Sequence, residues 1–207
     1  MLLDRLVSVL SLVAIAQAAA VGQLPLIARE TIEEAAVHAK QLVHSSVTGT
    51  LASVFPANST LAGRPHTILE YHAPCHHSPS LTFLLFPISL STKNIFGAEG
   101  HYAGYTVSDP IDGVRSPMSR GRVAFTGNMT LLPDLSAKER ARLSVCYKSY
   151  HPDVFWFPPA SPGESHHPFD SVWARFDPED IYYVGGFGDT HYIGHIPVEM
   201  YAEAGEK

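Results

Sequence analysis

The sequence predicts a mainly β domain with peripheral helices, closed as a barrel or sandwich, and three observations carry that prediction. Six or seven short β-favouring stretches are separated by Gly, Pro, Asn and Ser. Only two segments keep apolar residues at helical spacing. No internal repeat and no domain-sized linker interrupts the 207 residues. Closure into a barrel would remove the edge strands that otherwise invite aggregation.

Met1 to Arg5 is followed by an apolar run, Leu6 to Ala16, and by Ala16-Gln17-Ala18, which has the small-x-small form cut by signal peptidase. The run is too short to span a bilayer, and no stop-transfer segment follows. The expectation is therefore a cleaved secretory signal over residues 1–18, a leader over 19–28, one domain over 29–201 and a tail over 202–207. No membrane span remains after cleavage. The mature chain of about 190 residues can bury one substantial core.

Arg29 to Ser45 reads as the first helix. Ile32, Ala35, Ala36, Ala39, Leu42 and Val43 recur at helical spacing, and acidic residues in the first turns suit the dipole. Strands follow at Thr48 to Phe55, His66 to Tyr71, Leu81 to Pro87 and Tyr102 to Val107. Ser108-Asp109-Pro110 and Ile111-Asp112-Gly113 turn the chain. Gly121 to Leu132 is the longest candidate strand. Ser136-Ala137-Lys138-Glu139 has capping-box form and opens a second helix that runs to about Tyr150, before Pro152. A loop with four prolines, Pro158 to Pro168, leads to strands at Ser171 to Phe176, Ile181 to Val184 and Tyr192 to Ile196.

The formal net charge of −6 comes with no cluster of Lys and Arg, which argues against a nucleic-acid partner. Asn58-Ser59-Thr60 and Asn128-Met129-Thr130 are acceptor triplets for N-glycans; Asn58 has the better turn context. Cys75 and Cys146 are the only cysteines, and an oxidising compartment permits them to bond. Cys146 also sits at helical spacing from Leu143 and Tyr150, where a buried unpaired thiol belongs, and the residues favour that alternative.

Several sites can be weighed on residues alone. The glycines of Gly185-Gly186-Phe187-Gly188 miss the dinucleotide fingerprint, because its last position is His191 and no helix-forming run follows. They suit a close-packed bend instead. His191 and His195, four apart on a strand, stand about 13 Å from each other and cannot share an ion. No Cys/His metal spacing and no Gly-x-Ser-x-Gly occurs, so no metal site and no catalytic residue is expected. Ser89-Leu90-Ser91-Thr92-Lys93-Asn94 offers hydroxyls and an ammonium for a phosphate, or forms a polar turn capping a buried strand; composition favours the turn.

Taken in order, Gly63-Arg64-Pro65, Leu90 to Ile95, Arg122 to Gly127, Tyr150-His151-Pro152-Asp153 with Trp156, and Phe176 to Gly188 resemble the split-barrel family of pyridoxamine-phosphate-oxidase-like proteins. Within it they resemble the secreted CREG-like glycoproteins. The resemblance spans about Arg29 to Tyr201. It implies a six-stranded antiparallel split β-barrel that forms a homodimer, in a glycoprotein that is secreted or held in a vacuole or lysosome-like compartment. It further implies a non-catalytic chain that has lost flavin binding, with no cofactor expected and no receptor named. The alternative it carries is an FMN-dependent oxidoreductase, and after that a haem or metal binder. If FMN binds, Arg64, Ser89, Ser91, Thr92 and Lys93 are the residues placed to meet its phosphate. This chain has His66, Glu70 and His72 where the oxidases have further basic residues, and Glu70 would repel a phosphate if it faced the site. The glycine bend would border a ligand groove, with Gly186, Gly188 and His191 at the edge.

Overall fold

The computed structural model describes residues 29–156 and 170–205. The expected signal, leader and extreme tail residues, and the proline-rich loop with His166 and His167, lie outside the described residues.

The first helix, α1, spans Ile32–Ser45. It starts later than its apolar spacing suggests because Thr31 is its N-cap: the Thr31 hydroxyl accepts from the Glu34 amide and the Glu34 carboxylate accepts from the Thr31 amide. Ala35, Ala36, Ala39, Leu42 and Val43 form the buried stripe. Thr31→Ala should therefore cost about 1 kcal/mol, read as a lower urea midpoint at unchanged slope.

Seven strands follow: β1 (Thr48–Val54), β2 (Pro65–Tyr71), β3 (Leu81–Leu85), β4 (Tyr102–Ser108), β5 (Arg122–Leu131), β6 (Val172–Val184) and β7 (Ile193–His195). They pair antiparallel in the order β2-β1-β4-β5-β6-β3, and β7 adds to β6 beyond the end of β3. Six of them curl into an open half-barrel, the architecture of a split barrel. Alternation in β1 sends Leu51 and Ser53 inward, and β4 does the same with Ala103, Tyr105 and Val107. All five residues of β3 are buried.

Three expectations about the elements change. The last long strand is one element of 13 residues rather than two, and it is longer than β5. Asp177-Pro178 reads as a break because Pro178 cannot donate to a ladder. The strand survives through a bulge, in which Thr126 faces Asp180 and Gly127 faces Pro178. A side chain at Gly127 would overlap the Asp177 carbonyl, so only glycine fits there. Second, the polar segment after β3 is a helix, α2 (Leu90–Gly97), capped by Ser89. Third, a short helix, α4 (Val198–Glu203), extends past residue 201 and packs on α1.

The remaining helix, α3 (Ala137–Tyr150), begins in the expected capping box of Ser136 and Glu139. The main core fills the half-barrel with Leu51, Phe83, Tyr105, Phe125, Phe176 and their neighbours, and α1 and α4 cover it. A second cluster lies under α3, where Leu143 and Tyr147 meet Leu84 and Trp173. There Cys75 and Cys146 are joined in a disulfide, so the unpaired reading of Cys146 is corrected. Helical spacing shows which face of α3 is inward, but it does not show what waits opposite that face.

Candidate functional site

The residues expected at a flavin phosphate are only partly brought together. Ser89 is the N-cap of α2: its hydroxyl accepts from the Thr92 amide at 3.2 Å and lies 2.7 Å from the Thr92 hydroxyl and 3.3 Å from that of Ser91. Ser91 and Thr92 are buried, while Lys93 is exposed on the helix. The Ser91 hydroxyl donates to Glu70 Oε1 at 3.4 Å, so the Glu70 carboxylate does face the helix start. Burial pushes the Glu70 carboxyl up, and the Ser91 hydroxyl opposes that shift. Arg64 is exposed at the other end of β2, about 20 Å along the strand from Glu70. The helix start, its hydroxyls and the carboxylate thus form one satisfied set that keeps few free donors.

His72 leaves that neighbourhood altogether. Its Nε2 donates to the Val43 carbonyl at 3.0 Å, and its Nδ1 is 2.8 Å from the Tyr105 hydroxyl. A carbonyl only accepts, so the neutral ring carries its proton on Nε2 and accepts from Tyr105 on Nδ1. The Tyr105 hydroxyl shares its proton with the Glu70 carbonyl at 3.0 Å. His151 Nε2 donates to the His72 carbonyl at 2.7 Å, and its ring stacks on Tyr71. Burial drives the His72 ring down to about 4 and lowers His151 as well.

A second place lies at the glycine bend, where the sequence reading expected a groove edge, but most of its lining has no counterpart in that reading. A cleft of about 940 Å³ opens between one face of α1, from Glu34 to Ser45, the β4–β5 loop and the bend between β6 and β7. At its side the Glu30 carboxylate, 7% exposed, accepts from His38 Nδ1 at 2.6 Å and from the Tyr192 amide at 2.8 Å, with His191 Nδ1 at 3.6 Å. Gly185 admits that carboxylate, because a side chain there would overlap Glu30 Oε2. Gly185 and His191 line the cleft; Gly186 and Gly188 belong to the same bend, outside its lining. His195 turns elsewhere and meets Asp180 at 2.7 Å. Among the described residues no three His, Cys, Asp or Glu are placed to hold a metal ion. Glu30 and His38 share the stretch that enters α1, while Asp109 and Tyr183 come from two others, so no spacing in the sequence brings the set together.

Of the two possible glycan acceptors, Asn58 is exposed in the turn between β1 and β2. Asn128 is half-buried in β5 and donates to Glu179 Oε1 at 2.9 Å.

Comparison with known proteins matches residues 30–203 to a family model described as CREG, beta-barrel. Among solved structures, a heme binding protein from Mycobacterium smegmatis superposes with a TM-score of 0.64 at 15% identity. That match covers 85% of this chain and 62% of the other, so the chain spans under two thirds of that protein's length. HutZ, the heme storage protein from Vibrio cholerae, gives 0.53 at 18% identity, covering 73% of this chain and 95% of the other. A protein related to general stress protein 26, of the pyridoxinephosphate oxidase family, from Clostridium acetobutylicum gives 0.50 at 14% identity, covering 74% and 89%. At such identities these likenesses establish the split-barrel fold alone. A search of curated proteins finds no match.

Proposed function

The chain belongs to the CREG β-barrel family, and from that premise we propose that it is a non-catalytic split-barrel glycoprotein whose flavin site is degenerate. The observation that carries this reading is Glu70. Its carboxylate engages the Ser91 hydroxyl beside the start of α2, where the hydroxyls would otherwise be free for a phosphate. Ser89 and Thr92 are spent on capping and on each other. A phosphate entering there would face a carboxylate and would find only Lys93 as a nearby free cation on the helix.

Secretion, or delivery to a vacuolar or lysosome-like lumen, is part of the same proposal. It rests on the leading apolar segment, on Asn58 as the favoured glycan acceptor, and on a disulfide that suits an oxidising compartment. The proposed partner is a second copy of the chain. The edge strand β2 leaves Ile68 exposed on one face and Leu69 and Tyr71 on the other, apolar side chains on an unpaired edge of the kind that a second chain can cover.

The test is an FMN titration followed by flavin fluorescence, with wild type and Glu70→Gln. Wild type is expected to show no saturable binding, and Glu70→Gln to gain at least about tenfold in affinity on loss of the opposing charge. Tight binding by wild type would overturn the proposal in favour of the flavin-dependent oxidoreductase.

A further inference from the structure

A groove of about 730 Å³ runs between the first half of α1 and α4, and its floor and rim differ in character. Ala36, Val37, Pro197, Met200 and Ala204 give it an apolar lining. Val37 lies off the buried stripe of α1 and is not among the side chains packed on the main core, so the core does not account for an apolar residue at that position. The two walls are tied together. Lys40 Nζ reaches across from α1 and donates to the Ala202 and Ala204 carbonyls at 2.7 and 3.0 Å, while Met200 and Ala204 pack against the core. The groove is therefore formed before anything enters it, which spares a partner the cost of ordering it.

The rim decides what such a groove accepts. Glu33, Glu34, Glu199 and Glu203 border it together with His38, and among the described residues no Lys or Arg lines it. His38 is already held by Glu30 at 2.6 Å, and the Glu34 carboxylate accepts from the Thr31 amide. Glu33, Glu199 and Glu203 are exposed, and among the described residues none of them has an ion-pair partner. This arrangement opposes three kinds of occupant. A second copy docked by the same face would set its own four carboxylates against these. An anionic lipid surface would be repelled, and an uncharged apolar partner would strip water from the carboxylates without supplying a counter-charge. An apolar segment flanked by Lys or Arg satisfies both the floor and the rim.

We propose that the groove between α1 and α4 docks a basic amphipathic helix of a partner protein, which lays its apolar ridge on Val37, Met200 and Ala204 and points Lys or Arg side chains at Glu33, Glu199 and Glu203. The groove shares no residue with α2 or β2, so neither the flavin titration nor the dimer bears on its test. The probe is a fluorescein-labelled peptide of Leu and Lys at helical spacing, about 14 residues long, titrated with the full chain and followed by anisotropy. A twin peptide with Glu in place of every Lys is the control. The expected result is saturable binding of the Lys peptide alone, with amide shifts at Val37 and Met200. Glu199→Lys combined with Glu203→Lys should weaken binding at least about tenfold, and Val37→Ser about fivefold. Glu99→Lys combined with Asp134→Lys changes the net charge equally at exposed positions outside the groove, and should leave the affinity within about twofold. Thermal unfolding confirms that the variants are folded; should Val37→Ser fail that check, the two charge reversals decide alone. Equal binding of the Glu twin, equal loss in the two charge reversals, or absence of saturable binding overturns the proposal. Shifts at Val37 and Met200 on raising the protein concentration alone, or on adding phosphatidylserine vesicles, would overturn it in favour of a second copy or a lipid surface.

Discussion

Replacing Cys75 and Cys146 together by alanine is expected to lower the unfolding free energy by about 4 kcal/mol, because opening so long a loop returns chain entropy to the unfolded state. The bond spans 71 residues. It ties the segment between β2 and β3 to α3, whose inward face otherwise rests on the small cluster around Tyr147 and Trp173. That cluster is a satellite of the main core, so the covalent tie matters more there than it would inside the half-barrel. Alanine avoids leaving a buried hydroxyl at position 75, which is nearly enclosed. Urea unfolding of the oxidised wild type against the double variant measures the difference. A loss below about 1 kcal/mol would mean that the denatured chain is already compact around these residues.

Acid should destabilise the fold, and His72 sets the window. The ring is fully buried and bound in its neutral form, and its pKa falls from 6.5 to about 4. A depressed pKa in the fold means that the unfolded chain binds the proton first. The stabilisation is therefore complete above about pH 6.5 and is lost as pH falls from there toward 4. At about 1.4 kcal/mol per unit of pKa shift, His72 accounts for about 3 kcal/mol over that interval. His44, His76 and His151 shift the same way, mainly by burial, and deepen the fall. Urea midpoints measured from pH 7.5 to 4.5 should drop steeply. His72→Gln should be less stable at neutral pH, with the Val43 carbonyl and the Tyr105 hydroxyl each losing the ring as a partner, and should show a shallower slope with pH. An identical slope in wild type and variant would remove His72 from the account.

Much of the fold is legible in the sequence because its cues are local. The capping box at Ser136, the alanine stripe of α1 and the alternation in β1 and β4 each need only neighbouring residues. The failures share a cause as well. Ser89 to Asn94 reads as a turn by composition, yet the Ser89 hydroxyl makes the same residues the opening of a helix, whose Ile95 is buried against the half-barrel. Asp177-Pro178 reads as a break because Gly127, about 50 positions away, is what makes room for it. Cys146 reads as an inward-facing thiol, and only the fold brings Cys75 against it.

The sites divide in the same way. The hydroxyl cluster of α2 is visible as a run of residue types, and so is the warning from Glu70; that Glu70 reaches Ser91 follows from the placement of α2 against β2. The cleft is assembled from Glu30, Asp109, Gly121 and Tyr183, which lie on four separate stretches of chain, and of its lining the sequence drew notice only to the glycine bend at Gly185 and to His191. A buried carboxylate admitted by Gly185 has no local signature at all.

The degenerate flavin site is tested most directly by the visible absorption spectrum of the protein purified from a secreting host in the presence of excess flavin and then freed of unbound ligand. The account predicts a colourless protein. A yellow protein carrying flavin bands in stoichiometric amount would contradict it, and a Soret band would point to haem instead.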